Sequence, residues 1–131
     1  MYMLDTNICI YIKKQNPPQV LAKLQSLKLN QVCMSAVTYA ELFYGALKSG
    51  QVAGNIAKLA VLKTSIQVLA FDDDAAEKYG EIRADLSMRG LIIGSNDLLI
   101  AAHALSGDHI LVSNNLREFS RVNGLQTENW L

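Results

Sequence analysis

Three short stretches place a carboxylate where an ionised group is hard to accommodate. Asp97 follows Ile92-Ile93-Gly94-Ser95-Asn96 and precedes Leu98-Leu99-Ile100-Ala101-Ala102-His103-Ala104. This reads as an apolar approach, a glycine turn, a Ser95 N-cap and a helix with Asp97 in its first turn. Ile100, Ala101 and Ala104 recur at helical spacing, so Asp97 begins the face that turns inward. Asp5 ends the apolar run Met3-Leu4, and Glu41 stands within Thr38-Tyr39-Ala40-Glu41-Leu42. An acid on a packed face is unfavourable without a partner. Something cationic is therefore expected in front of these groups.

The elements that must position them alternate in type. Tyr2 to Leu4 reads as a strand, and Asp5-Thr6-Asn7 caps a helix containing Ile8, Ile12 and Lys13. Pro17-Pro18 stops that helix and starts another with Val20, Leu21, Leu24 and Leu27 on one face. Gln31 to Ser35 is a second strand, followed by a helix from about Val37 that Gly50 ends. Ile56, Leu59, Ala60 and Lys63 mark its antiparallel neighbour. A third strand covers Gln67 to Ala70. A helix with Ala75, Tyr79, Ile82 and Leu86 as its buried stripe then runs to Gly90. His109 to Val112 is a fourth strand, and Gly124 to Thr127 a short fifth. Alternation of this kind implies right-handed crossovers and a parallel sheet covered on both faces.

In such sheets, ligands bind beyond the C-terminal strand ends, near the reversal of strand order. Asp5 follows the first strand directly and Asn114-Asn115 follow the fourth. Glu41 and Asp97, read as lying in first helical turns, face the same rim. Each acid has a local role when taken alone. Asp5 could be an N-cap, Thr38-x-x-Glu41 fits a capping box, and Asp97 could complement the helix dipole. None of these explains convergence at one rim, where unpaired carboxylates repel. A divalent cation resolves the repulsion, and an oxygen-only ligand set favours Mg²⁺ or Mn²⁺ over Zn²⁺.

Other features narrow the field. At 131 residues the chain is expected to form one domain, residues 1–131, burying roughly two-thirds of its unfolded surface. The formal net charge of zero argues against indiscriminate nucleic-acid binding but permits a basic patch. No leader is expected, since the first strand begins at the N-terminus, and no apolar run reaches the ~18 residues that span a membrane. Cys9 and Cys33 lack CxxC or His partners and read as packed, reduced thiols of a cytoplasmic protein. Asp72-Asp73-Asp74 reads as a solvated helix cap with first-turn acids. His103 lies off the Asp97 face and His109 precedes a strand, so both read as packing or surface residues rather than ligands. Dinucleotide and P-loop glycine patterns are absent.

Leu4-Asp5-Thr6-Asn7, Ser35 through Glu41-Leu42, Gly94-Ser95-Asn96-Asp97-Leu98-Leu99-Ile100-Ala101 and Ser113-Asn114-Asn115-Leu116-Arg117-Glu118-Phe119 arrive in family order. Together, over nearly the whole chain, they resemble a PIN-domain toxin of the VapC type. The resemblance implies a three-layer α/β/α PIN-like domain with a central parallel sheet of four to five strands. It also implies an Mg²⁺-dependent endoribonuclease, with Mn²⁺ substituting, that acts as the toxin of a type II toxin–antitoxin system. Such a protein is usually dimeric and held inactive by a VapB-type antitoxin. The members most similar in these motifs cut tRNA in the anticodon loop, with initiator tRNA the leading candidate. Family roles fall on Asp5, Glu41 and Asp97 as the metal-binding acids. Many relatives carry Asp near Asn115; here either Asn115 offers a neutral oxygen or Glu118 supplies the missing charge.

Thr6, Asn7 and Ser113 are then expected to hydrogen-bond the ligands. Lys13, Lys14, Arg83, Arg89, Arg117 and Arg121 are candidates for phosphate contacts, against ordinary solvated surface. Ile8, Tyr11, Ile12, Leu59 and Leu62 exceed what one helix face needs and suggest an antitoxin groove or a homodimer contact. The rival readings are a receiver-like or phosphatase-like acid cluster and a non-catalytic protein-binding module. Asn7 stands where a DxDxT phosphatase needs its second acid.

Overall fold

Strand residues alternate between the two faces of a sheet, and here both faces are apolar. Met3, Cys33 and Leu111 join one buried cluster with Ile82, Leu86 and Ile100. Their neighbours Leu4, Met34 and Val112 join the other, with Ile8, Ile12, Leu59 and Leu62. Two helical layers must therefore sandwich the strands, as parallel sheets require. The computed structural model describes all residues, 1–131.

The chain runs β1 (Tyr2–Leu4), α1 (Thr6–Lys14), α2 (Pro18–Gln25), a 3-10 turn (Leu29–Gln31) and β2 (Val32–Ser35). It continues with α3 (Ala36–Leu47), α4 (Val52–Ser65), β3 (Gln67–Leu69) and α5 (Asp73–Arg89). α6 (Ser95–Ser106), β4 (Ile110–Val112), α7 (Leu116–Phe119) and β5 (Thr127–Glu128) complete it. The five strands are ordered β3-β2-β1-β4-β5, and every pair is parallel. Met3 lies opposite Cys33 on one side and Leu111 on the other.

The chain steps outward from β1 to β2 to β3, then returns to the far side of β1 at β4. The strand order thus reverses between β1 and β4, the place where a crevice opens above the C-terminal ends. Asp5 leaves β1 there, its amide still donating to the Val112 carbonyl at 2.9 Å. The segment from Ser113 to Asn115 leaves β4 beside it.

Several boundaries differ from the sequence reading. Ser95 is the first residue of α6, and Gly94 stands at the N-cap without a side chain to offer. α3 begins at Ala36 with Ser35 as its cap, and stops at Leu47, short of Gly50. Glu41 is therefore in the second turn of α3, not the first. β5 lies at Thr127–Glu128, three residues beyond Gly124. α7 was not anticipated. Gly90 does end α5, in the left-handed conformation with φ +68° that a Cβ would strain. No helix is long and apolar enough to cross a membrane.

Candidate active site

The rim above β1 and β4 gathers acids from four elements, each held by a neutral donor. Asp5, 3% exposed, accepts the Thr6 amide on Oδ1 at 2.8 Å and the Ser113 hydroxyl on Oδ2 at 2.8 Å. Both bonds favour the charged form, but burial outweighs them, and nearby Glu41 adds to the rise in its pKa. Glu41 accepts the Thr6 hydroxyl on Oε1 at 2.7 Å. The Thr6 oxygen also lies 3.5 Å from that of Thr38. Thr38 is thus a buried residue inside α3 and not a cap, which removes the capping-box reading of Glu41. The cap is Ser35, whose hydroxyl oxygen accepts the Val37 amide at 3.1 Å.

Asp97 is half-buried in the first turn of α6. Burial, a hydrogen bond shared with Glu118, and the charges of Asp5, Glu118 and Glu41 push its pKa up to about 7. The Asn115 amide donates to Asp97 Oδ2 at 3.4 Å and to Glu118 Oε2 at 3.3 Å. α7 thus supplies the corner that the sequence left open between Asn115 and Glu118, and both residues face it. The Asn115 backbone amide is itself fixed by the Ser113 hydroxyl at 2.9 Å.

Neither Lys nor Arg enters this rim as an ion pair. Both ion pairs of the chain lie on α5, between Lys78 and Glu81 and between Arg89 and Asp85. The acids feel one another electrostatically, yet no three acidic, thiol or imidazole groups form a ready-made metal cage. They are spaced by Thr6, Ser113 and Asn115 rather than drawn to one point. The donor set is all oxygen, anionic and without a counter-charge from the protein, which fits a hard divalent cation.

Other candidates fall elsewhere. The Asn7 amide donates to Asn114 Oδ1 at 3.2 Å, and the Asn114 amide to the Tyr11 hydroxyl at 3.1 Å. Asn7 therefore closes the edge of the rim without touching an acid. Arg83 donates to the Tyr79 hydroxyl, Arg89 to Asp85 and the Arg121 carbonyl, and Arg121 to the Ile92 carbonyl. These three guanidinium groups are engaged internally, whereas Lys14 and Arg117 are exposed. His103 is buried in packing, and His109 is half-buried below the opposite end of β4. Cys9 and Cys33 are free and buried.

A groove of about 530 Å³ opens between α1, α2 and α4, lined by Ile12, Leu24 and Leu62 and edged by Lys13, Lys28 and Lys58. Of the apolar excess read from the sequence, Ile8, Ile12, Leu59 and Leu62 all prove to be buried, and only Ile12 and Leu62 also line the groove. Sequence reasoning missed α2 as a groove wall, although Leu21 and Leu24 carried the signal.

The PIN domain family model matches residues 2–125. Ribonuclease VapC2 of Haemophilus influenzae is 47% identical over 130 residues, covering 99% of this chain and 98% of that protein. The tRNA(fMet)-specific endonuclease VapC of Shigella flexneri is 45% identical over 129 residues, covering 98% and 97%. Among solved structures, that of VapBC2 from Rickettsia felis bound to a DNA fragment from their promoter superposes with a TM-score of 0.94. It is 40% identical and covers 99% of this chain and 98% of that one. The rim of acids, the switch between β1 and β4 and these likenesses together place the chain in the PIN-domain family, among the VapC ribonucleases.

Proposed function

We propose that the protein is the toxin of a type II toxin–antitoxin pair, a divalent-cation-dependent endoribonuclease that hydrolyses a phosphodiester bond in a tRNA anticodon loop. Initiator tRNA is the leading target, by analogy with the tRNA(fMet)-specific relative, and the site of action is the cytoplasm. The observation that carries the reading is the set of Asp5, Glu41 and Asp97 on one rim with no cationic side chain among them.

Asp5 and Asp97 would hold Mg²⁺, or Mn²⁺ in its place, with Glu41 completing the cage or orienting the attacking water. The bound cation supplies electrophilic stabilisation of the phosphate and a water of lowered pKa. The chain's own residues do the rest. Ser113 and the Thr6 amide fix the rotamer of Asp5, and the Thr6 hydroxyl fixes Glu41. Asn115 bridges Asp97 to Glu118, so the fourth corner has both a neutral amide and an acid. Arg117, exposed on α7 next to Glu118, would meet a backbone phosphate.

The groove between α1, α2 and α4 receives the antitoxin, an amphipathic segment whose apolar residues enter it and whose acids meet Lys13, Lys28 and Lys58. Several of the similar solved structures are VapBC complexes. Tyr44 and Leu47, 63% and 53% exposed on α3, supply a homodimer contact. The test is cleavage of end-labelled tRNA by purified toxin in Mg²⁺. Wild type is expected to cut within the anticodon loop and Asp5→Asn to be inactive yet folded; cleavage by Asp5→Asn at the wild-type rate would overturn the assignment.

A further inference from the structure

Two of the acid-bearing elements, α3 and α6, meet at a buried hydrogen bond. Ser35 is fully buried at the end of β2, and its hydroxyl oxygen accepts the Val37 amide at 3.1 Å, capping α3. His103, on α6 and 5% exposed, holds Nδ1 2.7 Å from the same oxygen. A hydroxyl that accepts from an amide keeps its own proton to donate. This assigns Nδ1 as the acceptor and leaves a neutral imidazole protonated on Nε2. Phe71 closes the junction edge-on, with ring centroids 5.4 Å apart.

We propose that His103 is a positioning residue of the nuclease site, which through Ser35 locks α6 to the start of α3 and thereby sets Asp97 relative to Glu41. The proposal rests on the ribonuclease reading above. Glu41 lies six residues after Ser35, and Asp97 six residues before His103, each about 9 Å along a helix from the lock. Sites carried on helices inherit the placement of the helix itself, so a slip at the lock reaches both acids. A ring that only filled space would not need an acceptor here. Without that acceptor the Ser35 proton is buried and unpaired, a penalised state.

Protonation of the ring would reverse the bond and weaken the lock. Nδ1–H would then donate to the second lone pair of the Ser35 oxygen, and the Ser35 proton would be left without an acceptor. Burial, the largest influence, opposes the imidazolium, and Asp72 at the cap of α5 favours it. His109 is the other titratable group within reach, and the two imidazoles disfavour each other's charge. The remaining buried polar side chains are Asp5, Thr38 and Ser113.

Wild type, His103→Leu and His103→Asn are compared in tRNA cleavage, with folding checked by circular dichroism. Leu keeps the bulk, while Asn returns an oxygen near the position of Nδ1. His103→Leu is expected to lose tenfold to a hundredfold in kcat at unchanged KM, and His103→Asn to recover most of it. Nitrogen-15 NMR of the wild type is expected to show Nδ1 unprotonated and Nε2 protonated at neutral pH. A folded Leu variant with wild-type kcat, or a wild-type ring protonated on Nδ1, would reduce His103 to a core filler. The NMR result decides the lock even where the Leu variant does not fold. Absence of RNA cleavage by wild type would instead defeat the ribonuclease reading, with the lock still judged by NMR.

Discussion

Two sets of acids stand out in this chain, and their surroundings are opposite. Asp72, Asp73 and Asp74 are consecutive and exposed, and Asp72 caps α5 by accepting the Ala75 amide at 2.9 Å. The other two sit in the first turn, where the helix dipole suits them. Further along α5, Glu81 and Asp85 each have a cationic partner. Asp5, Glu41, Asp97 and Glu118 come instead from four distant segments, are buried or half-buried, and have none. The density of acids along a sequence thus says little about a site. What marks one is convergence in space without counter-charge, since only that arrangement calls for something from outside the chain.

The sharpest way to test this contrast is to neutralise each set. Asp5→Asn or Asp97→Asn is expected to lower tRNA cleavage by ~100-fold or more, while Asp73→Asn with Asp74→Asn leaves it within about twofold, since exposed charges are screened by solvent and salt. Equal losses from the two sets would erase the distinction. Stability should separate them next. Mn²⁺ at a hundredfold excess over its dissociation constant should stabilise wild type by about 2.7 kcal/mol, seen as a rise in melting temperature, and the α5 double variant equally. Asp97→Asn should gain less.

The pH dependence follows from Asp97, whose pKa rises from an ordinary 3.8 to about 7 in the metal-free fold. The folded protein then holds a proton that the unfolded chain has released, so stability falls as pH rises between those values. Asp5, also raised, acts in the same direction. Chelated wild type should therefore lose melting temperature from acid to neutral pH. Asp97→Asn should show a flatter profile and melt higher at neutrality, and an unchanged profile would contradict the burial of that charge. The smallest effect belongs to the exposed set. Asp72→Ala removes a cap at about 1 kcal/mol, visible in denaturant titration and without consequence for cleavage.

The sheet and its rim were legible because strand alternation and crossover handedness depend on patterns that are local in the sequence. Asp5 and Asp97 could be placed for that reason. The helix starts were less clear. Thr38-x-x-Glu41 imitates a capping box, but Ser35 caps α3 from the end of β2 and takes Thr38 into the interior. Ser95 resembles a cap, but Gly94 holds that position and Ser95 is the first residue of α6. α7 spans four residues, too few for a helical period to show, so the pairing of Asn115 with Glu118 stayed open. The bond between Ser35 and His103 joins residues 68 apart. Its sole trace in the sequence is a histidine within an otherwise alanine-rich and aliphatic helix.

The most direct measurement is Mn²⁺ binding to the purified, chelator-stripped toxin by isothermal titration calorimetry. Wild type, Asp97→Asn and the Asp73→Asn, Asp74→Asn double variant are titrated side by side. If the rim is the metal centre, wild type and the α5 variant bind with matching affinity and Asp97→Asn weakens binding tenfold or more. Full affinity in Asp97→Asn, or its loss in the α5 variant, would contradict the account and return Asp97 to the role of a helix-terminal acid.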